Sequence, residues 1–147
     1  MIFRLFYATE LRYGIVFDIG QKVSKGEPID LTMGHVNQLW QGDANGYLAR
    51  SFPLCESPAQ TLNMTGREVI SVRSIAESLG EALSRPPVFE GEEAPTALLG
   101  DASRLTDVLG EPRIRIDQII AWVAGWLAGG GRTLGKPTQF ESRTGNF

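Results

Sequence analysis

The sequence predicts an α/β fold with a few short strands and about five helices, because its apolar residues follow helical spacing in some segments and strand-like runs in others. The predicted order is strand, helix, two strands, helix and strand, followed by three helices with short strands between them. A chain of 147 residues with 42% hydrophobic and 21% charged residues is long enough for one globular domain with a buried core.

The first predicted strand and helix occupy the N-terminal 26 residues. Residues 2–7 (IFRLFY) are apolar on both faces apart from Arg4, which is typical of a strand inside a covered sheet. Apolar residues from Leu11 to Val23 then follow one helical face, and Gly26 supplies the stop.

Two further strands are predicted at residues 29–33 and 36–41, joined by a tight turn at Gly34-His35. Asp43 is placed to cap a helix that ends near Pro53. A strand at residues 61–64 completes this half of the chain.

The C-terminal half is predicted to be mainly helical. Ser71 is a good N-cap for a helix whose buried stripe runs from Val72 to Leu83, and Asp101 can cap a shorter helix that ends at Gly110. The remaining elements are a short strand at residues 88–90 and a helix at residues 117–128. After three glycines, a polar tail without periodicity is expected to lie across the surface.

Charge and cysteine content narrow the class of protein. The formal net charge of −3 lacks the basic excess of most nucleic-acid-binding domains. The longest apolar run, residues 119–131, is shorter than the roughly 20 residues of a membrane span. We therefore expect no nucleic-acid partner and no membrane partner. The single cysteine, Cys55, excludes an internal disulfide and favours a cytoplasmic location, and we expect it to be a packed small side chain.

Two local patterns suggest chemistry but lack its other parts. Residues 130–136 (GGRTLGK) have the spacing of a phosphate loop, but they follow a helix instead of a strand and precede Pro137, so a glycine helix stop is the favoured interpretation. His35, the only histidine, could act as a base in a small hydrolase, but there is no G-x-S-x-G elbow. Neither these patterns nor any carboxylate pair indicates a metal site.

Four stretches, taken in order, carry more information. They are RLFY at 4–7, LWQGDA at 39–44, LNMTG at 62–66 with SVRSIAE at 71–77, and DASR at 101–104 with LGEP at 109–112. They resemble the R-x-x-N, V-x-D-x-A, N-x-x-G with S-x-x-E-x-A, and D-x-S-K elements of the extended short-chain dehydrogenase/reductases, or NAD-dependent epimerases/dehydratases. Tyr7 replaces the Asn of the first element, and Arg104 replaces the Lys of the last.

The resemblance covers only the C-terminal, substrate-binding half of that family, a Rossmann-type fold. The family binds NAD(P) through a glycine-rich turn, and no such motif occurs here. Its catalytic Tyr-x-x-x-Lys is missing too, since the residues four after Tyr7, Tyr13 and Tyr47 are Leu11, Phe17 and Ser51. We expect residues 1–128 to form a truncated substrate-binding domain without a cofactor of its own, and residues 129–147 to form a C-terminal tail.

The resemblance implies a small polar ligand, commonly a nucleotide sugar, and no hydride transfer by this chain alone. The candidate ligand contacts are Tyr7, Arg12, Tyr13, His35, Asn37 and Arg104. Arg12 could pair with phosphate or carboxylate, while the tyrosines, His35 and Asn37 could bond sugar hydroxyls.

The alternative is a non-enzymatic ligand-binding or homo-oligomeric assembly module. In full-length relatives the first strand has neighbours on both sides, and here they are missing. An apolar strand edge recruits other chains, so we expect a homo-oligomer formed through residues 2–7.

Overall fold

The computed structural model describes residues 1–142, which contain five α-helices and eight short strands. The predicted α/β class and the number of helices are confirmed. The strands are β1 (Ile2–Leu5), β2 (Tyr7–Thr9), β3 (Pro28–Asp30), β4 (His35–Val36), β5 (Gln38–Trp40), β6 (Thr61–Met64), β7 (Ile70–Ser71) and β8 (Val88–Glu90). The helices are α1 (Ile15–Lys25), α2 (Gln41–Ser51), α3 (Val72–Ala82), α4 (Ser103–Leu109) and α5 (Ile116–Ala128).

The strands associate in pairs. Strand β1 runs parallel to β6, β2 to β5, and β3 to β8, whereas β4 is antiparallel to β7. The predicted turn at Gly34-His35 does not join paired strands, so that prediction is wrong. The Gly34 carbonyl instead accepts the N–H of Val72 (2.9 Å), which holds this segment against the start of α3.

Helices α1, α3 and α5 enclose the main core. Their buried faces carry the apolar residues whose spacing predicted them, including Ile19, Ile75 and Val123. A smaller cluster lies between α2, α4 and β6, where Tyr47 is fully buried. None of the helices within residues 1–142 has the length and apolar character needed to cross a membrane.

The helix caps agree only in part with their predictions. The Ser71 hydroxyl accepts the N–H of Ser74, as predicted for the cap of α3. Asp43 does not cap α2, because that helix begins two residues earlier, at Gln41. The Asp43 carboxylate instead accepts the N–H of Ile114 (2.9 Å), which connects α2 to the segment before α5.

Two side chains lie differently from their predicted positions. Cys55 is exposed, because it follows a surface 3-10 turn at Phe52–Leu54. Phe140 is 1% exposed and belongs to the main core, so the tail is not confined to the surface. The last five residues of the predicted tail, 143–147, lie outside the described residues.

Strand β1 has one partner within residues 1–142, which leaves its other edge open. Ile2 and Leu5 are 53% and 56% exposed, so the two-sided burial suggested by the IFRLFY pattern is absent here. An apolar strand edge of this kind is suited to pairing with another chain.

Candidate functional site

A cleft of about 580 Å³ opens beside the junction of β1 and β2. Its lining is mostly apolar, with three hydroxyl-bearing side chains among the residues Leu5, Phe6, Tyr7, Tyr13, Ala97, Leu98, Leu99 and Thr138. A smaller hollow of about 160 Å³ shares five of these residues and extends to Ala8, Gly14 and Gln41. The size and composition are typical of a small-molecule site.

Local backbone structure brings the two tyrosines together. Phe6 lies between the two strands, and its N–H donates to the Met64 carbonyl (3.1 Å). Tyr7 then begins β2, and the chain turns back where the N–H of Glu10 donates to the Tyr13 carbonyl (2.9 Å), just before α1. The turn therefore places Tyr13 in the same cleft as Tyr7.

Both phenol hydroxyls are free to bond a ligand. Within residues 1–142 neither the Tyr7 nor the Tyr13 hydroxyl has a hydrogen-bond partner, and both side chains are half-buried. Burial raises the pKa of Tyr7 above its ordinary value, and the charges of Glu141 and Tyr13 add to this. Tyr7 is therefore a neutral phenol at physiological pH, able to donate or accept.

The C-terminal segment forms one wall of the cleft. The amide and hydroxyl of Thr138 both donate to one carboxylate oxygen of Asp18 on α1, at 2.7 and 2.6 Å. Lys22, one turn further along α1, pairs with Glu141 at 2.7 Å. Burial raises the pKa of Asp18, although the hydrogen bonds from Thr138 offset part of that effect.

The opposite wall, Ala97 to Leu99, is held in place by Asn37. The Asn37 amide nitrogen donates to the carbonyls of Gly66 (3.1 Å) and Gly100 (2.6 Å), and its oxygen accepts the Gly100 N–H (3.1 Å). A Cβ at residue 100 would lie 2.8 Å from the Phe6 ring, so this close approach of backbone to aromatic ring needs glycine.

The structure brings two of the six candidate residues together. Tyr7 and Tyr13 line the cleft, whereas the Arg12 guanidinium turns to Glu10 (3.0 Å). Asn37 is 2% exposed and bonded to backbone, where it supports the wall. His35 lies on β4 opposite Ser71, and Arg104 on α4 donates to Gln60.

Sequence reasoning missed Phe6, Leu98 and Thr138 as cleft residues. Phe6 lines the cleft beside its neighbours Leu5 and Tyr7 because it lies at the break between β1 and β2, and strand alternation would have placed it on the opposite face. Leu98 and Thr138 lie outside helices and strands, and no periodic pattern marks them.

The alternative chemistries gain no support from the described residues. Helix α5 ends at Ala128 before the three glycines, which confirms the predicted helix stop, and no helix follows within residues 130–142. No hydrogen bond joins the His35 side chain to a Ser or a carboxylate in residues 1–142. The same residues contain no group of three or more His, Cys, Asp or Glu side chains that could hold a metal ion.

Comparison with solved structures identifies the fold. The UDP-glucose 4-epimerase of Thermus thermophilus, solved with NAD, is similar to this chain with a TM-score of 0.66 and 17% identity, over 86% of this chain and 46% of that one. The Bordetella bronchiseptica enzyme WbmG, solved with NAD and UDP, gives a TM-score of 0.67 and 18% identity, over 89% and 45%. The UDP-glucose 4-epimerase of Thermotoga maritima, solved with UDP-glucose, gives 0.68 and 11%, over 87% and 45%.

These likenesses confirm the expected fold: the chain has the architecture of about half of each of these three structures, two of which are UDP-glucose 4-epimerases. It spans about 45% of the length of the solved structures that it matches. No protein-family model matches the sequence, and no curated protein matches it either.

Proposed function

We propose that this chain is the substrate-binding portion of an NAD(P)-dependent epimerase/dehydratase-like protein, and that the cleft between Tyr7 and Tyr13 holds its ligand. The observation that carries the proposal is the pair of phenol hydroxyls that have no hydrogen-bond partner within residues 1–142, in a mostly apolar cleft. The fold likeness to enzymes solved with NAD, UDP or UDP-glucose supports it.

Residues 1–142 do not fit a dinucleotide. A pyrophosphate needs a glycine-rich turn between a strand and a helix, with free amides facing the phosphates. Strands β5 and β7 pass directly into α2 and α3 without such a turn. The turn between β2 and α1 contains one glycine, Gly14, and the amide of Glu10 in it is bonded to Tyr13. We therefore assign no hydride-transfer step to this chain.

The test is an amide NMR titration of the full chain with a library of small fragments. Hits should shift the amides of Phe6, Leu98 and Thr138, and Ala97→Trp, which fills the cleft, should abolish those shifts. Fragments that bind elsewhere, or that ignore the Ala97→Trp change, would contradict the proposal. NADH formation by the purified chain with NAD⁺ and UDP-glucose, followed by absorbance, would contradict the assignment of no catalysis.

The open edge of β1 favours a second candidate function, self-assembly. We propose that two copies of the chain pair through this edge, because it presents Ile2 and Leu5 at 53% and 56% exposure beside unpaired backbone groups. Ile2→Lys should lower the mass measured by light scattering at micromolar concentration to that of a monomer. Val108→Lys on α4, which changes a valine that is 48% exposed, is the matched control and should leave the mass unchanged. A monomeric wild-type chain would refute this candidate.

A further inference from the structure

The cleft is apolar and uncharged on its inner surface. Of the described residues that line it, none is Lys, Arg, His, Asp or Glu. Its polar side-chain atoms are the hydroxyls of Tyr7, Tyr13 and Thr138, and the last of these already donates to Asp18. Such a lining offers hydrogen bonds to neutral groups but no ionic partner for a phosphate.

The charged groups beside the cleft disfavour an anion. Asp18 lies directly behind Thr138, and Glu141 is close enough to raise the pKa of Tyr7. Lys22 is paired with Glu141, so the three groups together carry one net negative charge. A diphosphate entering this partly enclosed space would lose hydration and gain no compensating charge.

Two positively charged features near the cleft could attract an anion, but a carboxylate of the protein already interacts with each. Arg12 is next to Tyr13 in sequence, but its guanidinium is bonded to Glu10 at 3.0 and 3.2 Å. Helix α1 begins at the inner end of the cleft, after Gly14, yet the carboxylate of Asp18 stands in its first turn and offsets the positive end of the helix dipole.

We propose that the ligand of this cleft is an uncharged molecule that combines an apolar ring or chain with hydroxyl or carbonyl groups, in place of a sugar joined to a diphosphate. This inference rests on the proposed function, because it names the ligand class of the same cleft. Leu5, Leu98 and Leu99 contact the apolar body of the ligand, and the two tyrosine hydroxyls bond its polar groups.

Two probes that share one sugar test the proposal. Phenyl β-D-glucopyranoside and UDP-glucose both present glucose, but the first replaces the charged nucleotide with a neutral aromatic ring. Isothermal titration calorimetry of the full chain should detect binding of the phenyl glucoside. It should detect no binding of UDP-glucose at the same millimolar concentrations. Tyr13→Phe should weaken the phenyl glucoside about fivefold to tenfold, the cost of one hydrogen bond. Tyr47→Phe, which removes a phenol hydroxyl buried outside the cleft, is the matched control and should leave the affinity unchanged.

The outcomes separate the ligand class from the proposed function. UDP-glucose binding that Ala97→Trp abolishes would overturn the ligand class while supporting a ligand site in this cleft. Binding of either probe that is insensitive to both Ala97→Trp and Tyr13→Phe would place the site elsewhere and overturn both proposals. Failure of both probes to bind at millimolar concentration would also overturn the ligand class.

Discussion

Asp18 and Thr138 are joined by two hydrogen bonds to one carboxylate oxygen, although 120 residues separate them in sequence. The pair fixes the C-terminal segment on α1 just before Phe140 enters the core. Since Thr138 also lines the cleft, the same two bonds set the position of one cleft wall.

Replacing Asp18 with Asn should change how stability depends on pH. The pKa of Asp18 is raised in the folded protein, mainly by burial, so folding favours its protonated form. Its contribution to stability is therefore complete below the ordinary value of 3.8 and is lost as pH rises through the folded pKa. Asn cannot titrate there. The free energy of unfolding of wild type minus that of Asp18→Asn, from urea denaturation, should fall as pH rises from about 3 to about 7.

A constant difference over that range would contradict the raised pKa. Thr138→Val measures the contribution of the hydroxyl bond to stability, because it removes the hydroxyl donor and leaves the amide donor in place. We expect it to lower the free energy of unfolding by about 1 kcal/mol.

Replacing Asn37 with Ala should destabilise the protein strongly. The change removes three hydrogen bonds and leaves buried carbonyls at Gly66 and Gly100 without their donor, which should cost about 2–4 kcal/mol in urea denaturation. Asn63→Ala is the matched control, since that amide makes one bond, to Asp101, at a more open position. It should cost no more than about 1 kcal/mol. Equal losses for the two variants would show that Asn37 does not hold the wall.

Much of the fold could be predicted because its signals are local. The Ser71 cap, the β6 strand and the glycines after α5 each depend on neighbours in sequence, and the structure confirms them. The turn predicted at Gly34-His35 was wrong because the partner of a strand is decided by long-range burial. Strand β3 pairs with β8, whose residues lie 60 positions further along the chain, and no local sequence pattern indicates that pairing.

The site was less predictable than the fold. Tyr7 and Tyr13 could be singled out by their chemistry, but the cleft also needs Thr138, whose place depends on Phe140 finding the core. The sequence identifies Arg12 as a cation but does not show that it is paired. Its ion pair with Glu10 depends on the backbone turn that brings the two side chains together.

Replacing Tyr47 with Phe should cost stability at neutral pH and remove a pH dependence in alkali. The Tyr47 hydroxyl donates to the Gly110 carbonyl (2.8 Å), so its loss should cost about 1 kcal/mol. Burial raises the pKa of Tyr47 to about 12. Its contribution is therefore complete below pH 10 and is lost as pH rises through about 12. The advantage of wild type over Tyr47→Phe in urea denaturation should shrink over that interval, and an advantage that grows instead would refute the assignment.

Gly125, inside α5, and Gly131, just after its end, should change the free energy of unfolding in opposite directions when each is replaced by alanine. A Cβ at residue 131 would lie 2.2–2.3 Å from the indole of Trp126, whose Nε1 donates to the Arg132 carbonyl (3.0 Å). Gly131→Ala must therefore displace the ring and break that bond, at a cost of about 1–3 kcal/mol in the free energy of unfolding. A Cβ at Gly125, inside the helix, meets nothing within 4 Å, so Gly125→Ala should stabilise the protein by about 0.5–1 kcal/mol through helix propensity. Urea denaturation followed by tryptophan fluorescence measures both changes. If Gly131→Ala leaves both the free energy of unfolding and the tryptophan fluorescence unchanged, the indole is not packed against this turn.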